Sequence, residues 1–259
     1  ELPASLLGIA VLPASSSAEV ILSVPVHDKA VKVILLDIEG TTTPADFVYQ
    51  VLFPFARNHL REFLEEHPEV VRADIERLRA DHQADRKRGL NPPRSVEESP
   101  SLQVESVVTY VHWLMERDRK ATALKSLQGK IWERGYQTGT LRSEVFEDVP
   151  RAFARWRSQQ RAISIYSSGS ELAQELLFAH TAEGDLTGHI SHYFDTSMGP
   201  KTSAESYRRI ATNLQVPGLE ALFVSDVTAE LDAAQSASLQ AVLCVRSGRS
   251  EPVTSAHPV

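Results

Sequence analysis

The sequence is poor in cysteine, with Cys244 as the single one among 259 residues. One cysteine excludes an intrachain disulfide and a zinc site built from several thiolates, and it favours a reducing compartment. The chain also lacks an Asn-x-Ser/Thr sequon and any run of the roughly 20 apolar residues that a membrane-spanning helix needs. We therefore expect a soluble, cytoplasmic protein without a membrane partner.

Long basic runs are missing as well, and the formal net charge is −7. Nucleic acid would meet little electrostatic attraction, so we expect no such partner. The apolar segment from Leu6 to Leu12 has no Lys or Arg before it and so lacks the positive region of a signal peptide. We interpret residues 1–29 as a disordered leader. An anionic substrate would need local positive charge, from a metal ion or a well-placed Lys.

The composition, with 42% hydrophobic and 24% charged residues, is that of an ordinary globular protein. Short β-branched and aliphatic runs alternate with segments of helical periodicity, which is typical of a parallel sheet covered by helices on both faces. Four runs are predicted to be strands of this sheet: Val31 to Leu36, Ala162 to Tyr166, Ala221 to Val224, and Ala241 to Val245. Three segments are predicted to be helices beside it: Glu171 to His180, Ser203 to Leu214, and Ala229 to Ser238, the last with Thr228 as its N-cap.

More than a hundred residues separate the first two predicted strands, too many for a simple crossover. Most of them have a helical pattern, which predicts an inserted helical cap with a Pro-rich loop between Leu90 and Pro100. We therefore predict an α/β fold with a Rossmann-like parallel-sheet core and an inserted helical cap. The predicted boundaries are a leader at 1–29, a core at 30–46 and 147–248, a cap at 47–146, and a tail at 249–259.

Open α/β sheets bind ligands beyond the carboxyl ends of their strands, so residues that follow the strands are the candidates for chemistry. The first strand is followed by Asp37 and Glu39. In a turn that leaves a strand, both acids can face one pocket, with Asp37 as a nucleophile towards phosphorus and Glu39 as the acid and base. Taken alone, this pattern fits a strand-end turn with solvated acids better.

The other strand ends carry complementary groups. Ser167 and Ser168 precede a helix, where hydroxyls and backbone N–H groups bind anions, although Ser there is more often an N-cap. Lys201 lies in a loop before another helix, and Asp226 follows the third strand. Singly, these two residues would be a surface Lys and a helix cap. In series they form one phosphate-handling set, with Asp226 beside Asp37 as an oxygen-lined cation site suited to Mg²⁺.

This series of motifs resembles the haloacid dehalogenase-like phosphatases, and several strings are closer still to the enolase-phosphatase family of methionine salvage. The resemblance covers roughly Val31 to Val245. It is carried by LLDIEGTTTP from Leu35, DRKATALK from Asp118, LQG from Leu127, IYSSGS from Ile165, FDT from Phe194, ESYR from Glu205 and DVT from Asp226.

The resemblance implies a bifunctional acireductone synthase, a phosphoric monoester hydrolase. It would enolise 2,3-diketo-5-methylthiopentyl 1-phosphate and dephosphorylate it to the acireductone 1,2-dihydroxy-3-keto-5-methylthiopentene through an aspartyl-phosphate on Asp37. It implies Mg²⁺ held by Asp37, Glu39 and Asp226, with Glu39 contributing its backbone carbonyl. We also expect a monomer that works in the cytoplasm, and in the nucleus as well in a eukaryote. Ser167, Ser168 and Lys201 would bind the small phosphorylated diketone.

Two departures and three alternatives remain at this stage. Gly-Pro precedes Lys201 where the family pattern favours Gly-His, and the superfamily's second acid is usually Asp rather than Glu39. The alternatives are a magnesium-dependent phosphatase of another small phosphomonoester, a non-catalytic metabolite-binding protein on the same fold, and a hydrolytic dehalogenase. A dehalogenase would need neither Glu39 nor Asp226, so both residues count against it.

Overall fold

A computed structural model describes residues 30–96, 99–119, 121–246 and 257–258. The predicted leader and most of the predicted tail lie outside these residues. The described residues divide into two compact units, one made of residues 30–48 together with those from Arg142 onwards, and one that lies within Tyr49–Leu141. We call them the core unit and the inserted unit.

The core unit contains a five-stranded, entirely parallel sheet in the order β3-β2-β1-β4-β5. Its strands are β1 (Val33–Leu36), β2 (Ala162–Tyr166), β3 (Ile190–Phe194), β4 (Ala221–Ser225) and β5 (Gln240–Leu243). The predicted parallel-sheet fold is therefore confirmed. All four residues of β1 are buried, as expected for an aliphatic strand in the middle of a covered sheet.

The sequence prediction missed β3 and misplaced one helix cap. β3 is an edge strand whose residues are mostly partly exposed, so it lacks the aliphatic run by which buried strands are recognised. Thr228 was predicted to be an N-cap, which was wrong, because Val227 takes that position and Thr228 is the first helical residue.

Among the described residues of the core unit, four α-helices flank the sheet: α5 (Val149–Ser158), α6 (Glu171–Ala179), α7 (Ala204–Asn213) and α8 (Thr228–Ser236). α5 packs on β2, and α8 packs on β4 and β5. Tyr207 of α7 is fully buried and lies edge-on to Tyr166 of β2 with 5.5 Å between ring centroids. Paired aromatic rings of this kind contribute more stability than their buried area alone would give. The pair therefore anchors α7, and with it the start of the helix, to the sheet.

The regular secondary structure of the inserted unit is helical in its described residues, with loops between the helices. A π-helical segment (Phe47–Leu52), which begins at the end of the core unit, leads into α1 (Phe53–Glu66), followed by α2 (Pro68–Lys87), α3 (Pro100–Glu116) and α4 (Thr122–Gln137). A proline lies within the first two positions of α1, α2 and α3, where its missing N–H costs nothing.

A buried acid sits among these helices. The carboxylate of Asp85, only 1% exposed, accepts hydrogen bonds from the hydroxyl of Tyr110 (2.9 Å) and the guanidinium of Arg119 (3.0 Å). Burying a charge is unfavourable unless it is paired in this way, so these partners help to fix the packing of α2 against α3. None of the described helices is both long and apolar enough to cross a bilayer.

Candidate active site

The carboxylate of Asp37, 2% exposed, lies at the carboxyl end of the central strand β1. The register pairs Leu36 with Val224, so the next residues, Asp37 and Ser225, lie side by side. Oδ1 of Asp37 accepts hydrogen bonds from the N–H of Ile38 (2.7 Å) and the ammonium of Lys201 (2.5 Å). Oδ2 lies 3.1 Å from the hydroxyl of Ser225. The carboxylate is therefore held in one orientation on both oxygens.

The loop that follows Asp37 is a compact turn. The carbonyl of Ile38 accepts hydrogen bonds from the N–H groups of Thr41, Thr42 and Thr43, at 2.9 to 3.1 Å. The hydroxyl of Thr42 also donates to the carbonyl of Asp37 at 3.1 Å. The main chain around Asp37 is consequently fixed by local hydrogen bonds as well as by the sheet.

Lys201 sits in the loop before α7, and its side chain is 10% exposed. Its ammonium contacts Asp37 and, at 2.7 Å, the carboxylate of Glu230 in α8. Burial lowers the pKa of Lys201, but the two carboxylates outweigh burial and raise it overall, so the group stays charged. The hydroxyl of Tyr207 donates to the carbonyl of Lys201 at 2.8 Å, which ties the loop to the core.

Glu39 and Glu230 are the other acids near Lys201. Burial raises the pKa of Glu39 above its usual value, and the negative charge of Asp37 raises it further, while Lys201 opposes the shift. Burial also raises the pKa of Glu230, again with help from Asp37. Both groups accept a proton more readily than an exposed glutamate, and Glu39 is thus suited to moving a proton beside Asp37.

Asp226 lies against the loop that carries Asp37 and Glu39. A Cβ atom added to Gly40 would lie 2.4 Å from Oδ2 of Asp226, and Gly40 has a φ of +76° that side chains rarely adopt. The N–H of Asp226 donates to the hydroxyl of Thr41 at 3.1 Å. Glycine is therefore required here, because the Asp226 carboxylate is packed directly on this loop.

Ser167 and Ser168 follow β2, the neighbour of β1 on its other side. The hydroxyl of Ser167, which is 1% exposed, accepts a hydrogen bond from the N–H of Gly169 at 3.1 Å. Ser168 is half-buried. The N-cap of α6 is Ser170, whose hydroxyl accepts a hydrogen bond from the N–H of Ala173. The role of helix cap, one of the two interpretations of Ser167 and Ser168 from the sequence, therefore belongs to neither of them.

The structure thus gathers most of the predicted site residues at one edge of the sheet. Lys201 contacts Asp37 directly, and Asp226 packs on Gly40 in the loop that follows Asp37. The charges of Asp37 and Lys201 both act on Glu39. Ser167 and Ser168 stand at the same edge, since β1 and β2 are parallel neighbours.

Magnesium fits the donors that this edge offers. In the part of the chain that the structure describes, no group of three or more His, Cys, Asp or Glu side chains is arranged around a common metal position. Mg²⁺ takes one or two carboxylates and keeps several waters, and the carboxylates of Asp37 and Asp226 are hard oxygen donors of that kind.

Two further residues belong to the site although the sequence prediction gave them no role. The single hydroxyl proton of Ser225 can go to Asp37 or, also at 3.1 Å, to Glu230. Glu230 holds the far side of Lys201. Their positions in the sequence could have indicated this role. Ser225 ends a strand beside β1, and Glu230 lies one helical turn beyond Asp226, near the same strand end.

Comparisons with known proteins agree with this geometry. A family model described as haloacid dehalogenase-like hydrolase matches residues 31–238. Enolase-phosphatase E1 of Synechococcus elongatus is 47% identical over 85% of this chain and 90% of its own length. Enolase-phosphatase E1 of Drosophila pseudoobscura is 41% identical over 89% of this chain and 90% of its own.

A solved structure is similar as well. The UTR4 protein of Saccharomyces cerevisiae superposes with a TM-score of 0.62 at 29% identity, covering 82% of this chain and 89% of the yeast chain. On these grounds the chain belongs to the haloacid dehalogenase-like hydrolases and, within them, to the enolase-phosphatase family.

Proposed function

We propose that this protein is an enolase-phosphatase of methionine salvage. It enolises 2,3-diketo-5-methylthiopentyl 1-phosphate and then removes the phosphate to give the acireductone 1,2-dihydroxy-3-keto-5-methylthiopentene. The observation that carries the proposal is the buried contact of the Lys201 ammonium with both Asp37 (2.5 Å) and Glu230 (2.7 Å). This arrangement places a nucleophilic carboxylate next to a positive charge that also attracts phosphoryl oxygens. The names of the relatives supply the enolase half.

In the phosphatase half, an oxygen of Asp37 attacks phosphorus and forms an aspartyl-phosphate as the bond from phosphorus to the substrate oxygen breaks. Glu39 gives its proton to that leaving oxygen. Glu39 then takes a proton from water, which attacks the same phosphorus, releases inorganic phosphate and restores the Asp37 carboxylate. Lys201, Ser167 and Ser168 bind the phosphoryl oxygens in both steps.

Mg²⁺ is the proposed cofactor, with Asp37, Asp226 and the backbone carbonyl of Glu39 as its ligands. When bound, it supplies positive charge that neutralises phosphoryl oxygens. The support from this chain is chemical: the donors are hard oxygens, and the two carboxylates lie on adjoining loops.

For the enolase half, we propose Glu39 as the base that removes the carbon-bound proton. Its side chain is one methylene longer than the aspartate more usual at this position, and its raised pKa, caused first by burial and then by Asp37, makes it a stronger base. Glu39→Gln should therefore stop enolisation as well as dephosphorylation. Enolisation that persists in this variant while dephosphorylation slows would rule out Glu39 as the base.

We further propose that the enzyme works as a monomer in the cytoplasm, and also in the nucleus if the organism is a eukaryote. The single cysteine, which is buried, is consistent with a reducing compartment.

One assay tests the function as a whole. The purified protein is mixed with the diketone phosphate ester with and without Mg²⁺, and acireductone absorbance and free phosphate are followed together. We expect both signals with Mg²⁺ and neither with Asp37→Asn. Hydrolysis of p-nitrophenyl phosphate without acireductone formation would indicate a phosphatase of another phosphomonoester. Failure to hydrolyse any ester in the presence of Mg²⁺ would indicate a metabolite-binding protein on the same fold.

A further inference from the structure

Arg246, three residues beyond β5, holds the loop that follows the nucleophilic strand. Its Nε and Nη2 atoms donate to the carbonyl oxygen of Thr41 at 3.0 and 2.5 Å. Its Nη1 atom donates to the carboxylate of Asp148 at 2.6 Å, and its guanidinium lies 4.0 Å above the ring of Phe146. The side chain of Arg246 is 12% exposed and that of Asp148 is 35% exposed, so the pair is partly buried, unlike the fully exposed ion pairs that contribute little.

Thr41 is the residue that connects the two acidic loops of the site. Its carbonyl is held by Arg246, and its hydroxyl accepts the N–H of Asp226 at 3.1 Å. The neighbouring carbonyl of Thr42 accepts the N–H of Phe146 at 3.0 Å. The guanidinium therefore acts on the point where the loop after Asp37 touches the loop of Asp226.

Asp148 explains why the guanidinium keeps this orientation. It occupies the N-cap position of α5, where aspartate normally accepts a backbone N–H, yet its side chain makes no capping bond. Its carboxylate binds Arg246 instead. Asp148 thus holds the planar guanidinium of Arg246, which donates twice to the carbonyl of Thr41, in place of capping the helix.

We propose that Arg246 is a positioning residue for the reaction: it sets the spacing between the Asp37 loop and Asp226 through Thr41. It contacts neither the substrate nor the reacting atoms. Arg246 lies beyond residues 31–238, the part matched by the family model. The catalytic part of this inference rests on the proposed phosphatase function, whereas the effect on the loop does not.

The test compares Arg246→Met, which removes all donors, with Arg246→Lys, which keeps one charge but cannot donate twice to Thr41. The matched control is Arg208→Met, because Arg208 also bridges a carboxylate, Glu205, and a backbone carbonyl, Ser236, at 3.2 Å each on the surface of the same unit. Three quantities are measured on full-length protein: amide hydrogen exchange of the loop from Ile38 to Thr43, Mg²⁺ affinity by calorimetry, and kcat and KM for p-nitrophenyl phosphate.

We expect faster exchange in this loop, and a loss of about 10–100-fold in both Mg²⁺ affinity and kcat, as is typical when groups that orient ligands are removed. With Mg²⁺ at a saturating concentration for each variant, KM should stay within about two-fold because the phosphate-binding side chains are untouched. Arg246→Lys should lose less than Arg246→Met, and Arg208→Met should match the wild type.

Unchanged kcat and Mg²⁺ affinity in either folded Arg246 variant would overturn the proposal. A loss of kcat that only follows the unfolded fraction, measured by circular dichroism, would do the same. If Arg246→Met does not fold, Arg246→Lys decides. If the wild type hydrolyses no ester, the proposed function fails, and loop exchange together with Mg²⁺ affinity decides the role of Arg246 separately.

Discussion

Replacing Lys201 by methionine should affect stability and catalysis in ways that can be separated. The Lys201 ammonium is the shared partner of Asp37 and Glu230, whose side chains are only 3% and 12% exposed. Methionine keeps the length of the side chain but leaves these two carboxylates facing one another without a cation. Both must then stay charged in a poorly solvated place, or one must take up a proton.

The expected magnitudes follow from this burial. Removing one member of a buried ion pair costs about 3–5 kcal/mol, since the remaining charge is left uncompensated. For a protein of this size such a loss lowers Tm by about 10 °C. Losing a positive group that contacts the phosphoryl oxygens should separately lower kcat by about 100- to 1,000-fold.

The double variant Lys201→Met/Glu230→Gln distinguishes the two effects. Glutamine removes one of the two facing charges and keeps an acceptor for the hydroxyl of Ser225. We expect Tm, measured in EDTA, to recover most of its loss while kcat for p-nitrophenyl phosphate stays low. If Tm does not recover, charge repulsion is not the cause of the instability. If kcat recovers with Tm, Lys201 has no role beyond stability.

Three other perturbations test separate parts of the structure. Gly40→Ala combines a φ of +76° with a Cβ atom 2.4 Å from the Asp226 carboxylate. It should lower the free energy of unfolding by about 1–3 kcal/mol and weaken Mg²⁺ binding. A Mg²⁺ affinity equal to that of the wild type, measured by calorimetry on the variant, would contradict the close approach. Burial, and then the charge of Arg57, lower the pKa of His112 in the inserted unit from 6.5. The folded state therefore disfavours the charged imidazole, so stability is complete above pH 6.5 and falls as pH drops below it. His112→Gln should flatten that fall in urea titrations at pH 7 and 5, and an equally steep fall in the variant would count against it. Burial raises the pKa of Cys244 to about 11, so iodoacetamide at pH 8 should label it slowly until urea unfolds the protein; rapid labelling of the native protein would show that the thiol is accessible.

The parallel sheet could be predicted from the sequence because four of its strands are short, mostly buried runs of aliphatic and β-branched residues. It was not sufficient for β3, where Ser191 and His192 are exposed and the aliphatic signal is lost. Edge strands satisfy one side of their backbone with solvent and need no apolar pattern on both faces. The other edge strand, β5, has three buried aliphatic residues and was predicted, so the error follows from the exposed polar residues of β3 and not from its edge position alone.

The candidate site was predictable to the extent that it depends on strand ends. Asp37, Lys201 and Asp226 each follow a strand or precede a helix of the core, and parallel strands bring such positions to one edge. The residues that hold them in place were not predictable in this way. The pattern around Tyr207 indicates only a buried aromatic residue of a helix. Arg246 follows the last strand, and no local pattern in the sequence indicates that it binds Thr41, which lies 205 positions earlier.

The charges at this site impose a requirement on substrate binding. Among the described residues around Asp37, the carboxylates of Glu39, Asp226 and Glu230 add negative charge, and the ammonium of Lys201 is already shared between two acids. A phosphate group would enter an excess of negative charge, which proton uptake by Glu39 and Glu230, both with a raised pKa, would relieve only in part. A divalent cation between Asp37 and Asp226 would reverse that balance. Inorganic phosphate should therefore bind at least about 10-fold more tightly with Mg²⁺ than with EDTA, a difference of about 1.4 kcal/mol in calorimetry. Equal affinity in both buffers would mean that Lys201 and the backbone N–H groups suffice, and that the acids around Asp37 do not govern phosphate entry.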